Sequence, residues 1–283
     1  MANAFDHCQQ LVREGDKDRF LATLFAPEKY RRPLWALYAF NLEIARVREA
    51  IHEPMAGEIR LQWWRDMLGG AGRGEVSAHP VAAALRDAVI RYGLPPQMLA
   101  DLIEARAFDL YDDPMATLTE LESYAARTSS ALMTMAARIL SDGRPPVAPE
   151  ALNHAGLGLA IASLLRALPV HASRGQLYVP LDVLARHGAD PADVLAGRPT
   201  EPVRAALAEL RIRAREHLAE AREGMAEAPP AIWPALMPAV IARLMLQRME
   251  RRSYQPFVPL DVPQWRRQWA LWRASRRGVQ RAL

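Results

Sequence analysis

Apolar residues recur at helical spacing along nearly the whole chain. Over residues 3–25, Phe5, Leu11, Phe20, Leu21 and Leu24 stand among charges, the pattern of an amphipathic helix that ends at Ala26-Pro27-Glu28. Pro33 suits a first helical turn, and Leu34, Leu37, Phe40, Ile44 and Val47 extend a helix from it. Beyond Pro54 a third helix is predicted over 57–68, then a glycine-rich loop over 69–74 and 77–80. Helices over 81–92 and 97–111 flank the stop signal Gly93-Leu94-Pro95-Pro96. Thr119, with Glu122 three residues on, reads as a capping box that opens a helix to about Leu140. A turn over 142–149 precedes an apolar helix over 150–168 and a looser stretch over 169–200. Helices over 201–227, 232–250 and 264–280 complete the chain. No strand-like alternation exceeds Leu177–Pro180, so the pattern predicts an all-α protein.

Composition narrows this further. With 283 residues, 51% of them hydrophobic and 24% charged, the chain is expected to form a single domain over 1–283 with a sizeable core. Lysine occurs only at Lys17 and Lys29, so arginine carries the net charge of +4, which a solvated surface explains as well as an anionic partner does. Cys8 is the only cysteine, which excludes a disulfide framework and a cysteine metal site. The first twenty residues carry early acids and no apolar core region, so no secretory signal is expected. Proline and arginine interrupt each apolar run, so no membrane span is expected either.

Residues 155–182 hold the first candidate chemistry. Gly156, Gly158, Ala160, Ala162 and Ser163 suit close backbone approach. Ser163, Ala167 and His171 are spaced i, i+4, i+8, one row down a helix face and a natural place for metal ligands. Pro169 lies inside that row, and its missing N–H predicts a kink or an end to the helix there.

Other constellations each have a plain reading beside a sharper one. Glu43, Arg46 and Glu49 are three apart, which suits a salt-bridged surface or a polar row facing a cavity. Trp63 and Trp64, flanked by Arg60 and Arg65, suit core packing or ligand stacking. Asp109, Asp112 and Asp113 crowd a helix end against its dipole, although Asp-Asp-Pro is also an ordinary turn opener. The histidines His7, His52, His79, His154, His171, His187 and His217 show no zinc-binding spacing, and no nucleotide motif is present. At the C-terminal end Trp265, Trp269 and Trp272 fall at i, i+4, i+7. Arg266, Arg267, Arg273, Arg276 and Arg277 surround them. That stripe suits either an anionic membrane surface or docking onto the domain; no nucleic-acid recognition fold accompanies the charge.

The order of these pieces resembles the squalene/phytoene synthase family over most of the chain. Tyr38-Ala39-Phe40 is similar to the lead of the helix that carries its first aspartate-rich motif, and Tyr124, Ala125 and Ala126 to the start of its central helix. Leu164-Leu165-Arg166 with Arg174-Gly175-Gln176-Leu177-Tyr178-Val179-Pro180 is the most specific match, around the second motif. The resemblance implies an isoprenoid-synthase-type helical bundle around a central cavity. In active members the two motifs hold Mg²⁺ that binds the diphosphates of prenyl substrates, hard ligands that Mg²⁺ bridges to carboxylates.

Carried over residue by residue, the first motif falls on Ala45, Arg46 and Glu49, and the second on Ser163, Ala167 and His171; only Glu49 is acidic. Prenyl coupling requires a barrier lowering upward of roughly 8 kcal/mol, and displaced acids such as Glu43 or Asp109 are poor substitutes for a metal cluster. The expectation is therefore a degenerate member with no catalytic residues, no metal and no cofactor. Phe40-Asn41-Leu42-Glu43-Ile44 and Arg60-Leu61-Gln62-Trp63-Trp64 are similar to a branch of the family that acts in respiratory complex I assembly. That branch implies complex I subunits or assembly intermediates as partners and a cytoplasmic, peripheral place on the inner membrane. It also leaves room for an isoprenoid or lipid ligand, with Arg46, Arg166, Arg174 and Tyr178 as anion-facing candidates. The alternative is an active Mg²⁺-dependent prenyl transferase that uses atypical acids.

Overall fold

A computed structural model describes residues 2–51, 53–70, 78–225 and 228–283. His52 and residues 71–77 of the expected glycine-rich loop lie outside the described residues. The described residues are α-helical with short 3₁₀ turns and no strand. They fall into two compact units, one of residues 1–111, 131–149 and 227–238, the other of 112–130, 150–226 and 239–283.

In the first unit the predicted opening helix is two, α1 (Ala2–Gly15) and α2 (Lys17–Thr23). Asp16 caps the second by accepting the Arg19 N–H at 3.0 Å. α3 (Glu28–Ala45) starts five residues before Pro33, which sits inside the helix rather than in its first turn. α3 packs on α1, on α6 (Pro80–Tyr92) and on α9 (Ala131–Leu140). α4 (Val47–Ala50) follows it, and α5 (Pro54–Leu68) packs against α7 (Pro96–Ala107). Gly93, at φ 57°, closes α6 in the left-handed conformation that glycine adopts without a Cβ penalty. Trp64 is fully buried with Phe40, their ring centroids 5.0 Å apart, so this tryptophan belongs to the core.

In the second unit α8 (Leu118–Ala125) is capped by Thr117, not Thr119. The Thr-x-x-Glu spacing occurs twice in succession, and the register that forms has Glu120 N–H donating to Thr117 Oγ1 at 3.2 Å. Glu122 is thereby released for other contacts. A π-helical turn over Ala126–Ser130 follows, its Thr128, Ser129 and Ser130 buried. α10 (Pro149–Ser173) is the longest helix, then come α11 (Leu181–Arg186), α12 (Pro191–Leu195) and α13 (Glu201–Gly224). α14 (Trp233–Met249) and α15 (Gln264–Arg277) end the chain.

Two expectations are corrected here. α10 does not end at Pro169: it continues to Ser173, and Leu165, Leu168 and Ala172 on its inner side are buried. One lost hydrogen bond close to a helix end is outweighed by that burial. The row Ser163, Ala167, His171 therefore keeps its helical geometry. In addition, Pro149–Ser173 and Pro230–Met249 are long and apolar enough to cross a membrane by length and composition, contrary to the sequence expectation. Most of each is buried, 61% and 67%, as in core helices of globular proteins.

The small residues of α10 explain its seat. A Cβ on Gly156 would lie 2.4 Å from Ser130 Cα, and one on Gly158 would lie 2.8 Å from Leu218 and 2.9 Å from the Ala214 carbonyl. Further along, a Cβ on Gly224 of α13 would meet Ala151 Cβ at 3.2 Å. These contacts order α10 and α13 antiparallel. Gly156→Ala is expected to lower the unfolding free energy by about 2 kcal/mol, read from urea melts. Gly69→Ala, where a Cβ meets nothing closer than 3.4 Å, is the near-neutral control.

Candidate functional site

The first-motif positions lie where α3 ends. α3 stops at Ala45, and Arg46, at φ −99° and ψ 5°, separates it from α4. An uninterrupted helical row through 43, 46 and 49 therefore does not form. Arg46 is exposed, and its Nη2 donates to the Gly15 carbonyl at 3.4 Å. Gly15 permits this approach, since a Cβ there would lie 2.8 Å from the guanidinium. Glu43 turns to other partners, Arg60 Nη2 at 3.1 Å and His79 Nε2 at 3.4 Å. Glu43, Arg46, Arg60 and Leu11 line a cleft of about 450 Å³. Cys8 on α1 is buried; burial, then the charge of Glu43, push its thiol up to about 12, so it is no nucleophile.

Asp109 is buried and accepts from Arg106 Nη1 at 3.1 Å, while its carbonyl and that of Tyr111 accept from Arg48. Glu49 and Asp113 are exposed. Among the described residues none of Glu43, Glu49, Asp109, Asp112 or Asp113 belongs to a three-ligand cluster.

The second-motif row lies on α10. Ser163, Ala167 and His171 are all half-buried. The His171 ring sits 4.6 Å from the buried Tyr178 ring, which is 6.0 Å from Tyr124. The void there, lined by Leu164, Leu168, His171 and Tyr178, is about 10 Å³, one water at most. At this spot the His171 and Tyr178 rings pack closely. Arg166 is half-buried, and its Nε has no hydrogen-bond partner among the described residues. Arg174 is exposed just past the helix end, before Gly175 at φ 74°.

α15 presents its aromatic stripe outward. Trp265, Trp269 and Trp272 are 63%, 54% and 48% exposed, whereas Leu271 and Ala274 on the opposite row are buried. About half of each indole surface is thus open, and Trp265 and Trp269 also face α14 across a cleft. Trp269 and Trp272 stack at 4.9 Å, and the Arg266 guanidinium lies over Trp265 at 5.1 Å. Arg267 is held back by the Val262 carbonyl at 2.8 Å, while Arg273, Arg276 and Arg277 are exposed. Between α14 and α15 opens a cleft of about 690 Å³, with Val240 and Leu244 at its apolar side and Arg243, Arg273, Arg277 and Arg281 around it.

One cluster escaped the reading of spacing. His154 on α10 and His217 on α13 bring their Nδ1 atoms to 3.0 Å, and Glu220 reaches His154 Nδ1 at 2.8 Å. His217 Nε2 faces Glu122 at 3.2 Å, and Arg213 Nε donates to the same carboxylate oxygen at 2.6 Å. Sixty-three residues separate the histidines, so no local motif could reveal them. The only available signal was the small-residue face of α10, which predicts a close helix neighbour.

This network titrates against folding at low pH. Burial chiefly holds the His217 imidazole below its usual 6.5. For Glu122 burial acts upward, but the hydrogen bonds from Arg213 and His217 outweigh it and hold the carboxyl below its usual 4.5. In both cases the unfolded chain binds the proton more readily. Stability is therefore expected to decline on acidification, from about pH 6.5 through His217 and from about pH 4.5 through Glu122. Urea midpoints between pH 8 and 4 measure it, and His217→Gln should flatten the upper part of the decline.

The Squalene/phytoene synthase family profile matches residues 12–273. The chain is 31% identical over 253 residues to the rat NADH dehydrogenase (ubiquinone) complex I, assembly factor 6, which spans 89% of this chain and 76% of the rat protein. It is 27% identical over 287 residues to the phytoene synthase of Arthrospira platensis, 95% of this chain and 92% of that one. Among solved structures, a dehydrosqualene synthase in complex with a ligand superposes with a TM-score of 0.85 at 17% identity, over 99% of this chain and 98% of that chain. That likeness establishes the all-α isoprenoid synthase fold. With nearly its full length matched, the chain belongs to the squalene/phytoene synthase family.

Proposed function

We propose that this chain is a non-catalytic family member that serves the assembly of respiratory complex I from a membrane surface. The similarity to complex I assembly factor 6 over 89% of the chain carries the reading. The residues at the family's metal-binding positions support it. Ala45, Ser163 and Ala167 offer no charged ligand, and Arg46 adds a cation where Mg²⁺ would require an acid. No Mg²⁺ is required for such a role. Complex I subunits or assembly intermediates are the partners that follow.

The membrane surface follows from α15. Exposed indoles beside Arg273, Arg276 and Arg277 suit the interface of an anionic bilayer, rings at the headgroup level and guanidinium groups on phosphate. The adjoining cleft joins apolar wall and arginine, which fits the headgroup and upper acyl chain of an anionic lipid. The chain would then act from the cytoplasmic side of the inner membrane.

Deletion of the gene is expected to lower NADH:quinone oxidoreductase activity and the amount of assembled complex I, both restored by the wild-type chain. Normal complex I in the deletion strain sinks the assembly role. Purified chain given farnesyl or geranylgeranyl diphosphate with Mg²⁺ is expected to release no diphosphate above background, and Mg²⁺-dependent turnover would establish the prenyl transferase alternative instead. On vesicles containing phosphatidylglycerol, Arg273→Ala with Arg277→Ala should weaken binding about 30-fold, at about 1 kcal/mol per arginine. Unchanged binding of the double variant removes α15 from the membrane contact.

A further inference from the structure

His154, His217 and Glu220 each present one donor atom toward a common point, and all three donors lie within 4.8 Å of one another. Two imidazole nitrogens and a carboxylate oxygen are the donor set of three-ligand zinc sites, which leave a fourth position open. At bond lengths of about 2.0–2.1 Å a tetrahedral zinc ion holds its donors about 3.3 Å apart. His154 Nδ1 already stands 3.0 Å from His217 Nδ1 and 2.8 Å from Glu220 Oε2. Those two gaps need to widen by only a few tenths of an ångström, and Glu220, 49% exposed at its side chain, is free to close the third.

The second layer is also built for it. With the proton of His217 on Nε2, that ring donates to Glu122 at 3.2 Å and turns its Nδ1 lone pair toward His154. A carboxylate behind the far nitrogen of a ligating histidine fixes its tautomer and raises its basicity. Arg213 holds Glu122 in place at 2.6 Å and spends its remaining reach on Glu216 at 3.1 Å, so its charge is matched before it meets the site. Burial holds the His217 imidazole below its usual range, which favours the neutral form that a ligand must take. His154 needs only to carry its proton on Nε2 instead of Nδ1, a change of tautomer.

We propose that His154, His217 and Glu220 bind one divalent metal ion of the zinc class, which clasps α10 to α13 with Glu122 as the carboxylate behind His217. The site lies entirely within the second unit and is independent of the assembly reading. It uses none of the positions that match the family's aspartate-rich motifs.

The full-length chain, stripped with EDTA and dialysed, is titrated with Zn²⁺ by calorimetry, with bound metal counted by elemental analysis. One ion per chain is expected. His154→Ala and Glu220→Gln, both at partly exposed positions and checked for folding by circular dichroism, should each weaken binding at least 10-fold. Glu122→Gln should weaken it about 10- to 100-fold while leaving all three ligands in place. Co²⁺ in place of Zn²⁺ should give the visible absorption of a tetrahedral site in the wild type and lose it in His154→Ala. Absence of saturable binding, or stoichiometric binding unchanged in both His154→Ala and Glu220→Gln, would overturn the proposal and leave the cluster a hydrogen-bonded contact only.

Discussion

The second unit depends on how closely α10 and α13 approach. Gly158 brings the α10 backbone against Leu218 and the Ala214 carbonyl, and Ala151 meets Gly224 two turns away. Between these two pinch points the helices have little freedom to slide, because a shift by one residue would place a Cβ against backbone. His154 and His217 lie between the pinch points. Their 3.0 Å approach is thus a consequence of glycine and alanine at neighbouring turns, not of attraction between two imidazoles. Glu122 and Arg213 then supply the polar partners that a buried histidine requires.

The first unit shows the opposite economy. Around Arg46 the backbone itself changes, since α3 ends at Ala45 and the guanidinium reaches back to the Gly15 carbonyl. Glu43 is drawn away from Arg46 by Arg60 and His79, which Trp63 helps to position at 4.9 Å from the His79 ring. A carboxylate with two such partners is already satisfied. Its recruitment as a metal ligand would require it to give up both contacts.

The helices were legible in the sequence wherever proline, glycine and apolar spacing agreed, as at α6, α13 and α15. The close approach of α10 was legible too, from Gly156 and Gly158. Errors arose where two local signals competed. Thr117 and Thr119 both offered a capping box, and only tertiary demand on Glu122 decides between them. Pro169 promised a kink or a helix end, and the helix does not end there, because buried Leu165, Leu168 and Ala172 outweigh one lost hydrogen bond. The histidine pair could not be read from local spacing, because His154 and His217 meet only through the packing of α10 on α13.

Packing positions and the row that matches the second motif face different physical constraints along α10. Glycine positions in α10 tolerate no added atom, so packing there resists change. The half-buried row beside them carries no such restriction: serine, alanine and histidine occupy it while α10 still runs unbroken to Ser173. At its end His171 lies against Tyr178, an aromatic contact that contributes to packing where an acid would have needed a cation. Packing residues in such a row cost the fold little and avoid the repulsion among carboxylates that share one site. On that physical basis the helical frame of the unit also carries surfaces away from that row, such as the exposed tryptophans and arginines of α15.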